Sequence, residues 1–270
     1  ADIISNFLKD VNKDEIKDVI RLLQGKIFAD YDERKIGMSS RLILKVISNS
    51  SGISQEKVEN LWKETGDLGK VAKELMKKRQ QMTLAREELT IKKVITNIKK
   101  LSEFEGEGTI DRKTGLISEL LNSAEPEEAR FIVALILEEL RVGVAAGIIR
   151  DALAKLFDLD VNDIERAYNL KTDYGEVGEL LKKEGINSLN NLSLTPGTPV
   201  KSMLAILATS VKEGFEALEK PAQFEEKLDG FRIQAHKKEN EIKIFTRNLE
   251  EVTKQFPDVI EYIKENVKAK

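Results

Sequence analysis

The chain has 270 residues, a formal net charge of −3 at pH 7, 41% hydrophobic and 34% charged residues, one histidine and no cysteine. That composition fits a soluble globular protein of one large or two ordinary domains, and it excludes disulfides, thiolate metal sites and histidine-rich metal clusters. No apolar run approaches the roughly 18–20 residues that span a bilayer, and ADIISNFLKD lacks a signal peptide's basic start and apolar stretch, so a cytoplasmic location without membrane contact is expected. Abundant Lys, Glu and Arg with few aromatics is the balance found in hyperthermophile proteins.

In chain order, residues 1 to about 190 carry a helical period nearly throughout. SNFLKDVNKDEIKDVIRLLQG places apolar residues at three- and four-residue steps and stops at Gly25. PEEARFIVALILEELRVG repeats that pattern, with Pro126 and two glutamates suited to a helix start. Between them, residues 67–100 hold ten lysines and arginines against four carboxylates, a local charge of +6. Such a stretch can neutralise phosphates, although a solvated helix face has the same composition. LSLTPGTPVKSMLA then interrupts: Pro196 and Pro199 flank Gly197, and no helix runs through that. Beyond it FRIQAH and EIKIFTR alternate apolar and polar residues around the polar loop KKEN and read as adjacent antiparallel strands. EEVTKQFPDVIEYIKENVKAK returns to the helical period. The expected division is 1–192 helical domain, 193–215 linker and 216–270 the start of a second domain.

The helical part contains a weak duplication. IGMSSRLILKVI (36–47) aligns with VGVAAGIIRDAL (142–153), placing Gly37 on Gly143 at an offset of 106. The same offset carries VENLW (58–62) onto IERAY (164–168) and Asp67-Leu-Gly69 onto Asp173-Tyr-Gly175. Each copy has a Gly-led loop opening a helix, where unsatisfied N–H groups and the positive end of the dipole suit a phosphate. Two copies related by an approximate two-fold axis could address the two-fold backbone symmetry of duplex DNA; a duplication retained for packing alone gives the same pattern.

EEKLDGFRIQAH (225–236) sets Lys227, Asp229 and Gly230 just before the first strand, with Arg232 close behind. A lysine with an ordinary pKa near 10.4 is unprotonated at pH 7 in roughly one molecule in 2,500, so a nucleophilic role requires desolvation or crowding by cations. Arg232 and Arg247 could do this, and their planar forks match phosphate oxygens. On K-x-D-G alone, a surface Lys–Asp ion pair beside a hairpin is the favoured reading.

Taken together these blocks resemble the ATP-dependent DNA ligase family, most of all its archaeal and eukaryotic replicative branch. EEKLDGFRIQAH is similar to the nucleotidyltransferase signature K-x-D-G-x-R, and IKIFTRNLEEVTKQFPD, starting 15 residues after Lys227, to the block that follows it. TPVKSMLA resembles the lead-in P-x-[RK]-P-M-L-A, with Ser202 where proline is usual. EARFIVALILEELRVGVAAGIIRDALA, KIGMSSRLILKVI and KETGDLGKVAKEL resemble blocks of the ligase DNA-binding domain.

The resemblance implies a mainly α fold: an all-helical DNA-binding domain with a pseudo-two-fold repeat, then the first strands and helix of an α+β adenylation domain. It implies that Lys227 takes AMP from ATP as a lysyl-AMP, that Glu225 recognises adenine, and that Arg232 and Arg247 contact the nucleotide. Arg141, Gly143 and Ala145 match the loop that lies in the DNA minor groove, and Gly37 and Ser39 join them through the repeat. The implied substrates are ATP and nicked double-stranded DNA, with Mg2+ held by ligands outside this chain, a sliding clamp as candidate partner and a monomeric state. The family's later motifs are absent, so the chain reads as part of a larger enzyme, inactive alone in complete ligation. The alternatives are a non-catalytic helical DNA-binding module and an RNA ligase or capping nucleotidyltransferase.

Overall fold

The computed structural model describes residues 1–78, 88–140, 144–202, 205, 207–218 and 221–268. They form two compact units, Ala1–Tyr168 with Asp173–Leu192, and Asn169–Thr172 with Ser193–Lys270.

The first unit is helical among its described residues: α1 (Asp2–Asp10), α2 (Ile16–Leu23), α3 (Ser40–Ser51), α4 (Gln55–Thr65), α5 (Leu68–Lys77), α6 (Ile91–Leu101), α7 (Thr109–Ser123), α8 (Pro126–Ile136), α9 (Ala146–Phe157), α10 (Val161–Lys171) and α11 (Tyr174–Glu184). The periodic stretch from Ser5 to Gly25 is two helices rather than one. Asn12 breaks it, accepting the Asp14 N–H on its side chain (3.1 Å) and the Glu15 N–H on its carbonyl (3.0 Å), a local turn that competes with the helix. The stretch opened by Pro126 begins as expected, with Pro at the first turn and a reciprocal cap between Glu125 and Glu128. It stops at Ile136 because Glu138 adopts φ +57° and the Glu139 N–H turns back to the Ala134 carbonyl (2.8 Å).

The duplication is structural. α3, α4 and α5 start at residues 40, 55 and 68, and α9, α10 and α11 at 146, 161 and 174, so the offset of 106 recurs at all three helix starts. The copies do not fold side by side, however; they exchange partners. α1 packs on α9 and α2 on α11, whereas α7 packs on α3 and α8 on α5. The helices preceding each copy therefore serve the other copy. One core joins Ile43, Ile47, Val71 and Leu75 to Ile117, Leu120, Ile132 and Val133; the other joins Leu8, Ile16 and Ile20 to Ile149, Leu153, Ile164 and Val177. Each such side chain taken from water contributes about 1.5–3 kcal/mol.

Both exchanged contacts are built alike. Asp67 and Asp173 cap α5 and α11, accepting from Lys70 N (3.0 Å) and Gly175 N (2.8 Å). Gly69 and Gly175 follow, and a Cβ on either would lie 2.8 Å from the Arg130 carbonyl oxygen or 2.6 Å from that of Lys17. Glycine is required at both positions because two backbones meet there. The α2–α11 contact adds a buried ion pair: the Arg21 guanidinium donates twice to Asp173 Oδ2, through Nε at 2.8 Å and through Nη2. Burial works against the Arg21 charge, but the Asp173 carboxylate outweighs it and the net shift of its pKa is upward.

In the second unit β1 (Ile233–Lys238) pairs antiparallel with β2 (Glu241–Thr246), Ile233 opposite Thr246 and Lys238 opposite Glu241. The connecting turn is only Glu239-Asn240, with Glu239 at φ +54°, so Lys237 and Lys238 belong to the strand rather than to a four-residue loop. α12 (Val211–Leu218) precedes the hairpin; α13 (Pro257–Asn266) packs on β2 through Ile242, Ile244, Val252 and Ile263. The Pro-Gly-Pro segment is tied to β1: Gly197 N donates to His236 Nδ1 (3.0 Å) and Val200 N to Gln234 Oε1 (2.9 Å).

His236 is the chain's single histidine, and burial lowers its pKa below the ordinary 6.5. Its unprotonated Nδ1 is the acceptor for Gly197, so the folded state favours the neutral ring. This stabilisation is present above about pH 6.5 and is lost as pH falls through the lower folded-state value. Thermal melts from pH 7.5 to 5 should show the wild type losing more stability than His236→Asn, whose side-chain carbonyl accepts at both pH values. Parallel curves would remove His236 from this role.

Candidate nucleic-acid interface and nucleotide site

The turn entering α3 carries Gly37 at φ +64° and Ser39, whose Oγ accepts the Leu42 N–H (3.4 Å). Its preceding loop is anchored from three sides. Ile27 and Ile36 enter the first core, the Tyr31 hydroxyl donates to Glu176 Oε1 (3.3 Å), and Lys113 Nζ donates to the Ile36 carbonyl (2.8 Å). Burial and the neighbouring Glu176 and Asp173 charges push the Tyr31 phenol up to about 12, which keeps it a donor. Gly37 and Ser39 are exposed, as are the cations Lys35, Arg41 and Lys45 around them. Among the described residues no carboxylate is ion-paired with these three.

The matching turn enters α9. Ala145, Ala146, Gly147 and Ile148 are all exposed there, and no side chain caps the helix. Small side chains at a surface helix start permit close approach by another backbone. Arg150 on the same helix is engaged with Asp151 (2.9 Å) and Glu165 (3.3 Å). Arg141 and Gly143, expected in this loop, lie outside the described residues.

Much of the positive segment is internally compensated. Lys70 pairs with Asp67 (3.8 Å), Lys73 with Glu127, Lys78 with Glu74 (2.7 Å), Lys93 with Glu119 (3.5 Å) and Lys99 with Asp18 (2.9 Å). Surface pairs of this kind are worth about 0–1 kcal/mol, so they reduce the field presented to a polyanion without locking the lysines. The sequence reading passed over the uncompensated cations at 35–45, which lie outside that segment.

In the second unit Arg232 immediately precedes β1 and Arg247 immediately follows β2. Since Ile233 opposes Thr246, these two occupy the next positions at the open end of the ladder. Arg247 is held at a turn by Thr246, whose Oγ1 accepts from Asn248 N (3.2 Å) and Glu250 N (3.3 Å). Glu225 and Lys227 lie in the irregular segment leading to that end, and both are exposed; Glu225 Oε1 accepts from Gln223 Nε2 (2.6 Å). Phe224, Leu228 and Phe231 beside them are 78%, 84% and 84% exposed. The described residues thus leave Lys227 exposed. Among them no three acidic or imidazole side chains are placed to hold a metal ion, and no helix is long and apolar enough to cross a membrane.

The chain thus combines a helical unit, exposed turns into α3 and α9, and a K-x-D-G-x-R segment leading into an antiparallel hairpin. Residues 1–154 match the family model described as DNA ligase N terminus, and residues 202–270 that of the ATP dependent DNA ligase domain. The chain belongs to the ATP-dependent DNA ligase family. It is 42% identical over 266 residues to the DNA ligase of Nanoarchaeum equitans, covering 98% of this chain and 47% of that relative. It is 41% identical over 272 residues to that of Methanosphaera stadtmanae (100% and 48%), and 38% identical over 266 to that of Thermococcus onnurineus (98% and 47%). The chain spans about half the length of these relatives.

Proposed function

We propose that this chain supplies the DNA-binding domain (1–192), the linker (193–215) and the first part of the adenylation domain (216–270) of an enzyme that seals nicks in duplex DNA with ATP. In the proposed reaction Lys227 Nζ, having lost its proton, attacks the α-phosphorus of ATP; the P–N bond forms as the bond to pyrophosphate breaks. The 5′-phosphate of the nick then takes the AMP and frees the lysine, and the 3′-hydroxyl displaces AMP as the phosphodiester closes. Glu225 is assigned to adenine, Arg232 and Arg247 to the ribose and phosphate side, and Gly37, Ser39, Arg141, Gly143 and Ala145 to the DNA minor groove. Mg2+ is assigned to ligands outside this chain, and no step here is routed through it.

The observation that carries the reading is that Lys227 lies in the exposed segment leading into β1, with Arg232 just before β1 and Arg247 just after β2, at the end of the ladder where Ile233 opposes Thr246. The exposed Phe224, Leu228 and Phe231 fit a segment whose packing partners lie in the rest of the adenylation domain. A second reading, a helical DNA-binding module without catalysis, draws on the exposure of Lys227 itself. Incubation of the full-length protein with ATP labelled on the α-phosphate separates the two. Label should survive denaturation in the wild type and vanish in Lys227→Ala; equal labelling in both, or none in the wild type, refutes the proposed role. GTP should not replace ATP, which separates a ligase from a capping enzyme.

A further inference from the structure

Lys113 sits on α7, on the stripe that buries Ile117, Leu120 and Leu121. It is 9% exposed, and its only described hydrogen bond is to the Ile36 carbonyl (2.8 Å). Among the described residues no carboxylate pairs with it. A buried cation left with a single neutral acceptor is costly, because the lost hydration is only partly replaced. The ammonium does have one outlet. Gly37 is exposed, and the position its Cβ would occupy lies 3.3 Å from Lys113 Nζ. The missing side chain leaves the lysine facing the surface at the turn into α3, between the uncompensated cations Lys35, Arg41 and Lys45.

We infer that Lys113 is a DNA-contacting residue, its ammonium neutralising one backbone phosphate laid on Gly37 while its bond to Ile36 holds the turn in shape. The inference rests on the proposed DNA-binding role of this unit. It explains why glycine stands at 37 as well as a positive φ does: a methyl there would cover the cation. It also makes α7 part of the DNA-binding surface, although α7 leads into the other sequence copy.

The test is binding of the full-length protein to a fluorescent nicked duplex, titrated over a range of salt. Lys113→Met should weaken binding and reduce the slope of log affinity against log salt by about 0.9, the loss of one phosphate contact. Lys113→Arg should restore the slope. A purely structural lysine would lower the melting temperature and leave the slope at the wild-type value, and that result overturns the inference. If Lys113→Met lacks a cooperative melt, Gly37→Ala replaces it, with the same fall in slope expected and an unchanged slope again decisive. A wild type with no salt-dependent affinity for the duplex would instead remove the DNA-binding reading itself.

Discussion

Asp173→Ala should cost the helical unit about 3–5 kcal/mol, the penalty for leaving a buried ion without its partner. Arg21 and Asp173 have side chains only 10% and 4% exposed, so water cannot take over the stranded guanidinium. Glu176, 3.9 Å from Arg21 Nη2, can compensate in part, which favours the lower end of that range. The cap on the Gly175 N–H disappears as well, adding about 1 kcal/mol. In a domain of this size each kcal/mol moves the midpoint by roughly 2–4 °C, so a loss near 10 °C should appear in a thermal melt followed by circular dichroism. A second change, Arg21→Met, should recover much of it by removing the unpaired charge. Independent, additive losses would show that the pair does not hold α2 to α11.

The second large effect is expected at Gly175. A methyl there would sit 2.6 Å from the Lys17 carbonyl and 3.0 Å from Asp173 Oδ1, and neither a helix backbone nor a capping carboxylate yields cheaply. Gly175→Ala should therefore destabilise by about 1–3 kcal/mol despite the better helix propensity of alanine. Gly69→Ala, meeting the Arg130 carbonyl at 2.8 Å, should do the same at the other exchanged contact. Gly115 in α7 is the control: nothing lies within 4 Å of its Cβ position, and alanine should stabilise there by about 0.5–1 kcal/mol. Denaturant midpoints of the three variants decide the matter. Equal behaviour at 69, 115 and 175 would mean that the close backbone approach is not what demands glycine.

These two contacts mark where reading the chain stops short. Asp67-Leu-Gly69 and Asp173-Tyr-Gly175 were visible as a repeat, because an N-cap and a small residue at fixed spacing are local requirements. What the glycines face is not visible, since Arg130 and Lys17 lie on helices far from them in the sequence. The hairpin was legible from its alternation of two, but its turn was placed too wide, as Glu239 takes a positive φ that its side chain does not advertise. Lys113 was within reach. It occupies the apolar stripe of TIDRKTGLISELLNS four residues before Ile117, and a charge at an inward position is a signal in its own right. The denser lysines between 67 and 100 mask it in the sequence, and among them Lys70, Lys73, Lys78, Lys93 and Lys99 face carboxylates.

The order of residues alone determined the helical class of the first unit, the 106-residue repeat, the two strands after the Pro-Gly-Pro break and the identity of the residues suited to nucleotide chemistry. These follow from periodicity, capping and side-chain type, which act over a few neighbouring positions. Only the tertiary structure decided that each copy completes its core with the other's leading helices, that a lysine from α7 reaches the turn at Gly37, and that Lys227 stays open to water. Those outcomes depend on which apolar faces find each other between segments far apart in the chain, and no local pattern encodes that choice.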